Sequence, residues 1–379
     1  MKKICFITTL PITLESFVLP FATYLHQHTD WDITFVCDQN EDFASRLPSY
    51  IHYQPIAMKR GISLAGIKAA WQMFCFFKAR HFDLIQYSTP NASLYSALAG
   101  KLAGIPIRLY AQWGFIYESF DGVKRLIFKQ IEKLTCALST HIETVSLSSL
   151  HFAHQERLYP PSKGTIIWHG SACGINLAKF DVAQKQKYRQ EIRQCYQIPA
   201  DAFVFGFVGR ITRDKGINEL FQAAQRLLSQ YKHIYFLLIG PEEIDKTIQN
   251  ELYSWSKQTA RFIYTGYTRQ VEKYLSAMDC LVLPSYREGF GLCVIEAESM
   301  AVPVIVTDIP GPIDAMQPGL TGELIQKKNA ASLLNAMEKM LTADLSTYGQ
   351  NGVKFVREHF EQTTLLGYLL SERARLLHV

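Results

Sequence analysis

The sequence predicts an α/β protein built from two doubly wound, Rossmann-like domains facing a central cleft. Three observations carry this. Short β-rich apolar runs alternate with longer stretches of helical periodicity, as parallel strands wrapped by helices require. The chain has 379 residues, more than the roughly 250–300 that one core supports. The alternation also restarts after HGSACGINLAKFD (169–181), whose small and polar residues read as a linker.

In the first half, strands are expected at Ile4–Thr8, Ile33–Cys37, Leu84–Ser88, Ile107–Tyr110, Ile142–Val145 and Thr165–Trp168. Helices are expected at Ser93–Leu102, Val123–Leu138 and Ser148–Glu156. In the second half, strands are expected at Val204–Val208, Ile234–Ile239, Phe262–Tyr264, Cys280–Pro284, Val304–Thr307 and Gly322–Ile325. Helices are expected near Gly216–Gln230, Gln270–Met278, Cys293–Met300 and Ala330–Leu341. The domains are therefore drawn at 1–170 and 171–362. A helix over 363–379 follows, expected to pack back toward the N-terminal domain.

An apolar content of 48% with 19% charged residues excludes a disordered chain. A net charge of +5 is too small to argue for nucleic acid. The charge is uneven, however, with 13 basic against 6 acidic residues over 51–170. Such a surface faces anionic lipid or a phosphorylated substrate, or is a solvated helix face. The eight cysteines form no CxxC pair, which speaks against zinc or redox chemistry and suits a reducing cytoplasm. The start MKKICFITTLPITLESFVLPFA imitates a signal peptide, but Pro11 and Glu15 interrupt it, so a strand followed by a helix is expected. No run reaches the roughly 18 apolar residues of a membrane span. The nearest is AAWQMFCFFKARHF, from Ala69 to Phe82.

Two constellations carry chemistry. In FVFGFVGRITRDKGINELFQAA (203–224), a buried strand ends at a Gly209 turn, and Lys215-Gly216 opens a helix. Arg210 and Lys215 thus flank a helix N-terminus, which already favours anions, and together they suit a diphosphate. Neither GxxxxGK[ST] nor GxGxxG is present, so this is no P-loop or NAD fingerprint. In LVLPSYREGFGLCVIEAESMAVPVIVTD (281–308), a strand leads into a loop with Glu288, Gly289, Phe290 and Gly291, and then a helix carrying Glu296. The glycines expose backbone N–H groups, and the two carboxylates accept hydrogen bonds from paired hydroxyls of a sugar or ribose.

Together, GRITRDKG, the glutamates of EGFGLCVIE, YTGY (Tyr264–Tyr267) and Ala277-Met278-Asp279 resemble the retaining GT-B glycosyltransferases of family four. The likeness is strong from about residue 164 onward and looser before it. It implies a nucleotide-diphospho-sugar donor, with a UDP-sugar favoured, and no separate cofactor or metal. The implied donor site comprises Gly209, Arg210, Lys215, Gly266, Tyr267, Glu288, Gly289, Phe290, Gly291, Leu292 and Glu296. Arg210 and Lys215 would hold the diphosphate, Glu288 the sugar and Glu296 the ribose. Glu288, Arg210 and Lys215 are the expected catalytic residues. Asp30-Trp31-Asp32 fits the DxD string of metal-dependent relatives but precedes a strand instead of following one.

The N-terminal half departs from the family pattern. Its first loop, TTLPITLES, lacks paired glycines, and Gln112-Trp113-Gly114 stands where a His-Gly pair is usual. Thr9, Trp113, Gly114 and Tyr117 are the acceptor-side candidates. The TxPxTLxxFxxP start resembles bacterial capsule and O-antigen enzymes. That implies a hexosyl- or N-acetylhexosaminyl-transferase acting on glycans or polyprenyl-diphosphate-linked sugars at the cytoplasmic membrane face. The basic stretches Lys78–His81 and Lys124–Lys133 would then touch an anionic inner membrane, or else pack against their own sheet. The alternatives are a phosphorylase of related fold and a non-catalytic sugar-nucleotide-binding subunit.

Overall fold

A computed structural model of the protein describes residues 1–58 and 64–378. It resolves into two compact units, Met1–Gly174 with Thr363–Val379, and Ile175–Gln362. The first unit holds seven strands: β1 (Lys3–Ile7), β2 (Asp32–Cys37), β3 (Ile51–Pro55), β4 (Leu84–Tyr87), β5 (Ile107–Gln112), β6 (His141–Thr144) and β7 (Gly164–Ile166). They are parallel and lie in the order β3-β2-β1-β4-β5-β6-β7. The second unit holds β8 (Phe203–Val208), β9 (Ile234–Ile239), β10 (Phe262–Gly266), β11 (Cys280–Leu283), β12 (Val304–Thr307) and β13 (Gly322–Ile325). These too are parallel, in the order β10-β9-β8-β11-β12-β13. This is the doubly wound α/β class that the alternation predicts. Strand order reverses between β1 and β4 in one sheet and between β8 and β11 in the other.

Burial on both faces explains the continuous apolar runs of the strands. In β1, Cys5 and Ile7 face a layer that includes Met73, Phe77, Ala97 and Cys136, from the helices Leu64–Arg80, Pro90–Ala103 and Gly122–Leu138. Ile4 and Phe6 face the other way, onto Leu14, Val18 and the helix Leu19–His28. The helix Gln362–Leu377 covers the same face through Leu365, Leu366 and Leu369. Its Arg373 is 1% exposed, donates to Gln86, and meets Glu143 through two hydrogen bonds of 2.6 and 3.1 Å. In the second unit, Phe205, Phe207, Val282 and Ile305 pack on the helices Ile217–Gln230 and Ala330–Thr342.

Several elements escaped the sequence reading. β3 is an edge strand whose His52, Tyr53 and Gln54 show no apolar alternation. The helix Leu64–Arg80 was visible only as an apolar run. Lys185–Cys195, KQKYRQEIRQC, has hardly any apolar stripe. It is held by ions instead: Arg189 and Arg193 each donate to the Asp279 carboxylate at 2.7 Å. Arg193 also donates to the carbonyls of Ala277 and Ala202, and the Val204 N–H donates to Asp279 at 2.7 Å. One carboxylate thus ties this helix to the starts of β8 and β11.

Removing one member of a buried ion network strands the others without partners, at a cost of about 3–5 kcal/mol. Asp279→Ala should lower the unfolding free energy of the second unit by that order in urea denaturation. A loss below about 1 kcal/mol would place the anchoring of this helix elsewhere.

Candidate active site

In open parallel sheets, ligands bind beyond the carboxyl ends of the strands where strand order reverses. In the second unit that point lies between β8 and β11. Both chemistry-bearing loops of the sequence leave from it, 209–216 after β8 and 284–291 after β11. Gly216 has φ +73, and a Cβ there would lie 2.0 Å from the Pro284 carbonyl oxygen. Only glycine allows the two backbones to approach so closely. The loops are then stitched together. The Tyr286 N–H donates to the Asp214 carbonyl at 2.8 Å, Arg287 pairs with the Asp214 carboxylate at 3.2 Å, and the Tyr286 hydroxyl donates to Glu219. Burial raises the Asp214 pKa, but the Thr212 hydroxyl and the charges of Arg287, Lys215 and Arg210 outweigh it and hold that carboxyl below its ordinary range.

This approach brings Lys215 Nζ to 2.5 Å from Glu288 Oε1, an oxygen that also accepts from Ser285 at 2.7 Å. Arg210 stands further out, paired with Glu243 at 2.7 Å. Two helices start beside these groups, Ile217–Gln230 behind Gly216 and Leu292–Ser299 behind Gly291, and neither has a side-chain cap. Their first N–H groups and positive dipole ends favour an anion. The Phe290 ring is buried against Phe360, centroids 5.2 Å apart, so this residue offers its backbone and anchors its loop. Gly311, φ +102, braces the same loop, since a Cβ there would lie 2.4 Å from the Gly289 carbonyl oxygen.

Glu296 lies on the helix Leu292–Ser299 and is half-buried. Burial pushes its carboxyl up to about 7; Lys179 pulls it down and Glu272 pushes it further up. Glu272 is itself buried, 3.8 Å from Lys179, and its Oε2 lacks a hydrogen-bond partner. Gly266 ends β10 and receives the Gly240 N–H, and the next residue, Tyr267, is 61% exposed. The unit thus presents two cations, two helix starts, two carboxylates and an exposed ring along the carboxyl ends of its strands. Lys179 and Glu272 went unnoticed in the sequence because they lie far from the motifs. Asp214 stood inside the motif, between the two cations.

The acceptor-side candidates belong to the first unit. Thr9 and Thr89 follow β1 and β4, at that sheet's own reversal point, and their hydroxyls lie 2.9 Å apart. Trp113 is half-buried against Phe17, ring centroids 5.4 Å apart, and Gly114 follows it with φ +131. Tyr117 corrects its expectation. It is fully buried among Phe115 and Phe152, and its hydroxyl has no hydrogen-bond partner, so it is a core residue that presents nothing to a ligand. Gln112, just before Trp113, is held by Glu132, which also accepts from Tyr110. Burial pushes Glu132 up to about 7, against the hydrogen bonds from Gln112 and Tyr110. Asp32 of the DxD string faces Arg80 at 3.4 Å and His52 at 3.5 Å.

Comparison with known proteins follows the same division. Residues 188–353 match the family described as Glycosyl transferases group 1, and residues 3–146 match Glycosyl transferase 4-like. The chain is 30% identical over 311 residues to a capsular polysaccharide biosynthesis glycosyltransferase, CapM, of Staphylococcus aureus, covering 80% of each chain. It is 22% identical over 316 residues to the Escherichia coli UDP-Gal:alpha-D-GlcNAc-diphosphoundecaprenol alpha-1,3-galactosyltransferase, covering 82% of this chain and 80% of that one. Among solved structures, Anabaena HepE in complex with UDP and glucose superposes with a TM-score of 0.80 at 16% identity, over 99% of this chain and 100% of that one. The two Rossmann-like units are those of the GT-B fold.

The raised Glu296 carboxyl fixes a pH dependence. A carboxyl whose folded pKa lies above its unfolded value stabilises the fold at low pH, and that contribution is lost as pH rises from about 4.5 through about 7. Glu296→Gln should therefore gain stability over the wild type between pH 5 and pH 8, by on the order of 1–3 kcal/mol in urea denaturation. A stability difference independent of pH would mean that Glu296 is solvated.

Proposed function

The chain belongs to the group 1 glycosyl transferases, and we propose that it moves a hexose or N-acetylhexosamine, with retention of configuration, from a UDP-sugar to a polyprenyl-diphosphate-linked sugar in surface-polysaccharide synthesis. The observation that carries the donor half is the meeting of Lys215 and Glu288 between two uncapped helix starts. Cation and dipoles suit a diphosphate, and the carboxylate suits sugar hydroxyls. The names of the relatives support the rest. One acts on a diphosphoundecaprenol-linked sugar with UDP-Gal, one serves capsule synthesis, and one structure holds UDP with glucose.

In this reading Arg210, Lys215 and the N–H groups at Gly291 and Leu292 neutralise the departing diphosphate without a metal ion. Glu288 holds the sugar, Glu296 the ribose, and Gly266-Tyr267 the base. As the bond from the anomeric carbon to the diphosphate oxygen breaks, positive charge develops on the sugar ring, beside the Glu288 carboxylate. The acceptor hydroxyl forms the new bond on the same face and gives its proton to the departing phosphate. Thr9, Trp113 and Gly114 bind the acceptor, Trp113 by stacking on a sugar ring.

Purified protein with a panel of UDP-sugars and a polyprenyl-diphosphate-linked sugar should form one new glycosidic product, and EDTA should leave the rate unchanged. Loss of activity in EDTA with recovery on adding magnesium or manganese would overturn the metal-independent reading. Absence of transfer from every UDP-sugar would overturn the donor assignment.

The two site carboxylates should fail differently. Glu296→Gln removes binding that is equal in ground and transition state, so it should act through donor KM. Glu288→Gln removes charge felt most at the transition state and should lower kcat by roughly tenfold or more, the effect of about 1.4 kcal/mol. A Glu288→Gln enzyme with normal kcat and only a raised KM would reduce Glu288 to a binding group.

A further inference from the structure

The first unit holds a buried polar cluster that the proposed chemistry does not use. It centres on Gln112, the last residue of β5, whose side chain is fully buried. Its Nε2 donates to Glu132 Oε1 at 2.6 Å, and its Oε1 accepts from the Tyr159 hydroxyl at 3.1 Å. The Tyr110 hydroxyl donates to the same Glu132 oxygen at 2.9 Å. Glu132, Tyr110 and Tyr159 are buried as well. Tyr110 and Gln112 come from β5, and Glu132 from the helix Gly122–Leu138. Tyr159 comes from the chain between the helix Leu147–Gln155 and β7.

Each end of the Gln112 amide meets a partner of the opposite kind. The carboxylate accepts, so Nε2 must face it, and Oε1 is left to the hydroxyl. The amide therefore has one orientation. The Tyr159 ring is seated with equal definition. A Cβ on Gly164, the first residue of β7, would lie 2.5 Å from that ring. His154 meets the ring edge-on, with centroids 5.5 Å apart. Core filling alone does not call for this set, because polar groups cost more to bury than apolar ones of the same size.

What the cluster holds is the turn that follows it. The ladder between β5 and β4 ends with Tyr110 opposite Tyr87, while Gln112 still pairs with Thr144 of β6. The chain then leaves the sheet through Trp113 and Gly114, the latter at φ +131. Phe17 packs on the Trp113 ring. The backbone that carries the ring, however, departs from Gln112, and so from the residue whose side chain is fixed at both ends. We propose that Glu132 and Tyr159 are positioning residues that fix the turn at Trp113 and Gly114 through Gln112, and with it the place of the acceptor sugar. The consequence for the acceptor rests on the reading that Trp113 and Gly114 bind it; the fixing of the turn does not.

The test is hydrogen exchange over residues 113–115, read by mass spectrometry, beside steady-state kinetics with the UDP-sugar and lipid-linked acceptor that give product. The variants are Tyr159→Phe, Glu132→Gln and the two combined. Tyr159→Phe removes one hydroxyl and keeps the ring. Glu132→Gln keeps the size but can donate as well as accept, so the Gln112 amide loses its single orientation. Each should speed exchange of the turn about fivefold, the size of one net hydrogen bond, with circular dichroism unchanged. Each should raise the acceptor KM by about the same factor and leave the donor KM as it was. Because both act through Gln112, the combined variant should be hardly worse than the worse single one. Unchanged exchange over 113–115 in both single variants would overturn the proposal. Fully additive effects would overturn it too, as would a donor KM that rises with the acceptor KM. Trp113→Ala separates the two levels. If it raises the acceptor KM while the faster-exchanging variants keep a normal one, the cluster does not place the acceptor and the proposal falls. If it leaves the acceptor KM normal, the acceptor reading falls, and exchange alone decides whether the cluster fixes the turn.

Discussion

The second unit turns on one approach of backbone to backbone, Gly216 against the carbonyl of Pro284. Everything chemical at that edge depends on two loops, from strands neighbouring in the sheet but distant in sequence, lying closer than any side chain would allow. Because they do, an ammonium and a carboxylate separated by 73 positions share a hydrogen bond of 2.5 Å. Asp214 and Tyr286 then hold the loops in register through backbone and side-chain bonds. Arg210, by contrast, is paired at the surface with the exposed Glu243. One cation is held between the loops and the other stands at the exposed rim of the same edge.

The two reversal points of strand order are furnished differently. That of the second unit carries full charges and helix dipoles. That of the first carries paired hydroxyls, Thr9 and Thr89, with Thr89 held at φ +69, a strained value for a β-branched residue. Strain of this kind persists where surrounding structure over-determines it, and it often marks a functional edge. The two edges differ accordingly in chemistry: ammonium, guanidinium and carboxylate groups with helix starts line one, and neutral hydroxyls line the other.

Much of this was legible in the residues. Strands buried on both faces announce themselves as apolar runs, and β9, β12 and β13 lie where the pattern put them. The loops 209–216 and 284–291 were readable because their glycines, cations and glutamates stand together, at set spacings, after buried strands. What resisted was held by other forces. The helix Lys185–Cys195 shows no stripe because Asp279 replaces one. The pattern of Gly122–Leu138 left an interfacial and a packed face both open because periodicity cannot say which side a sheet lies on. Tyr117 looked like an acceptor-side candidate because a sequence does not tell a buried tyrosine from an exposed one. Lys179 and Glu272 act on Glu296 only through space, and no local pattern points to them.

The helix Gln362–Leu377 belongs to the first unit, although all of Ile175–Gln362 comes before it in the chain. Its leucines close one face of the first sheet, and Arg373 seals that face with a buried pair to Glu143. On a ribosome the first unit therefore emerges early and stays unfinished. Leu14, Val18 and the helix Leu19–His28 cover part of its Ile4–Phe6 face at once, but the part that Leu365, Leu366 and Leu369 close waits until the second unit has been synthesised. The N-terminal sheet therefore keeps part of its apolar surface open for as long as the C-terminal sheet takes to make.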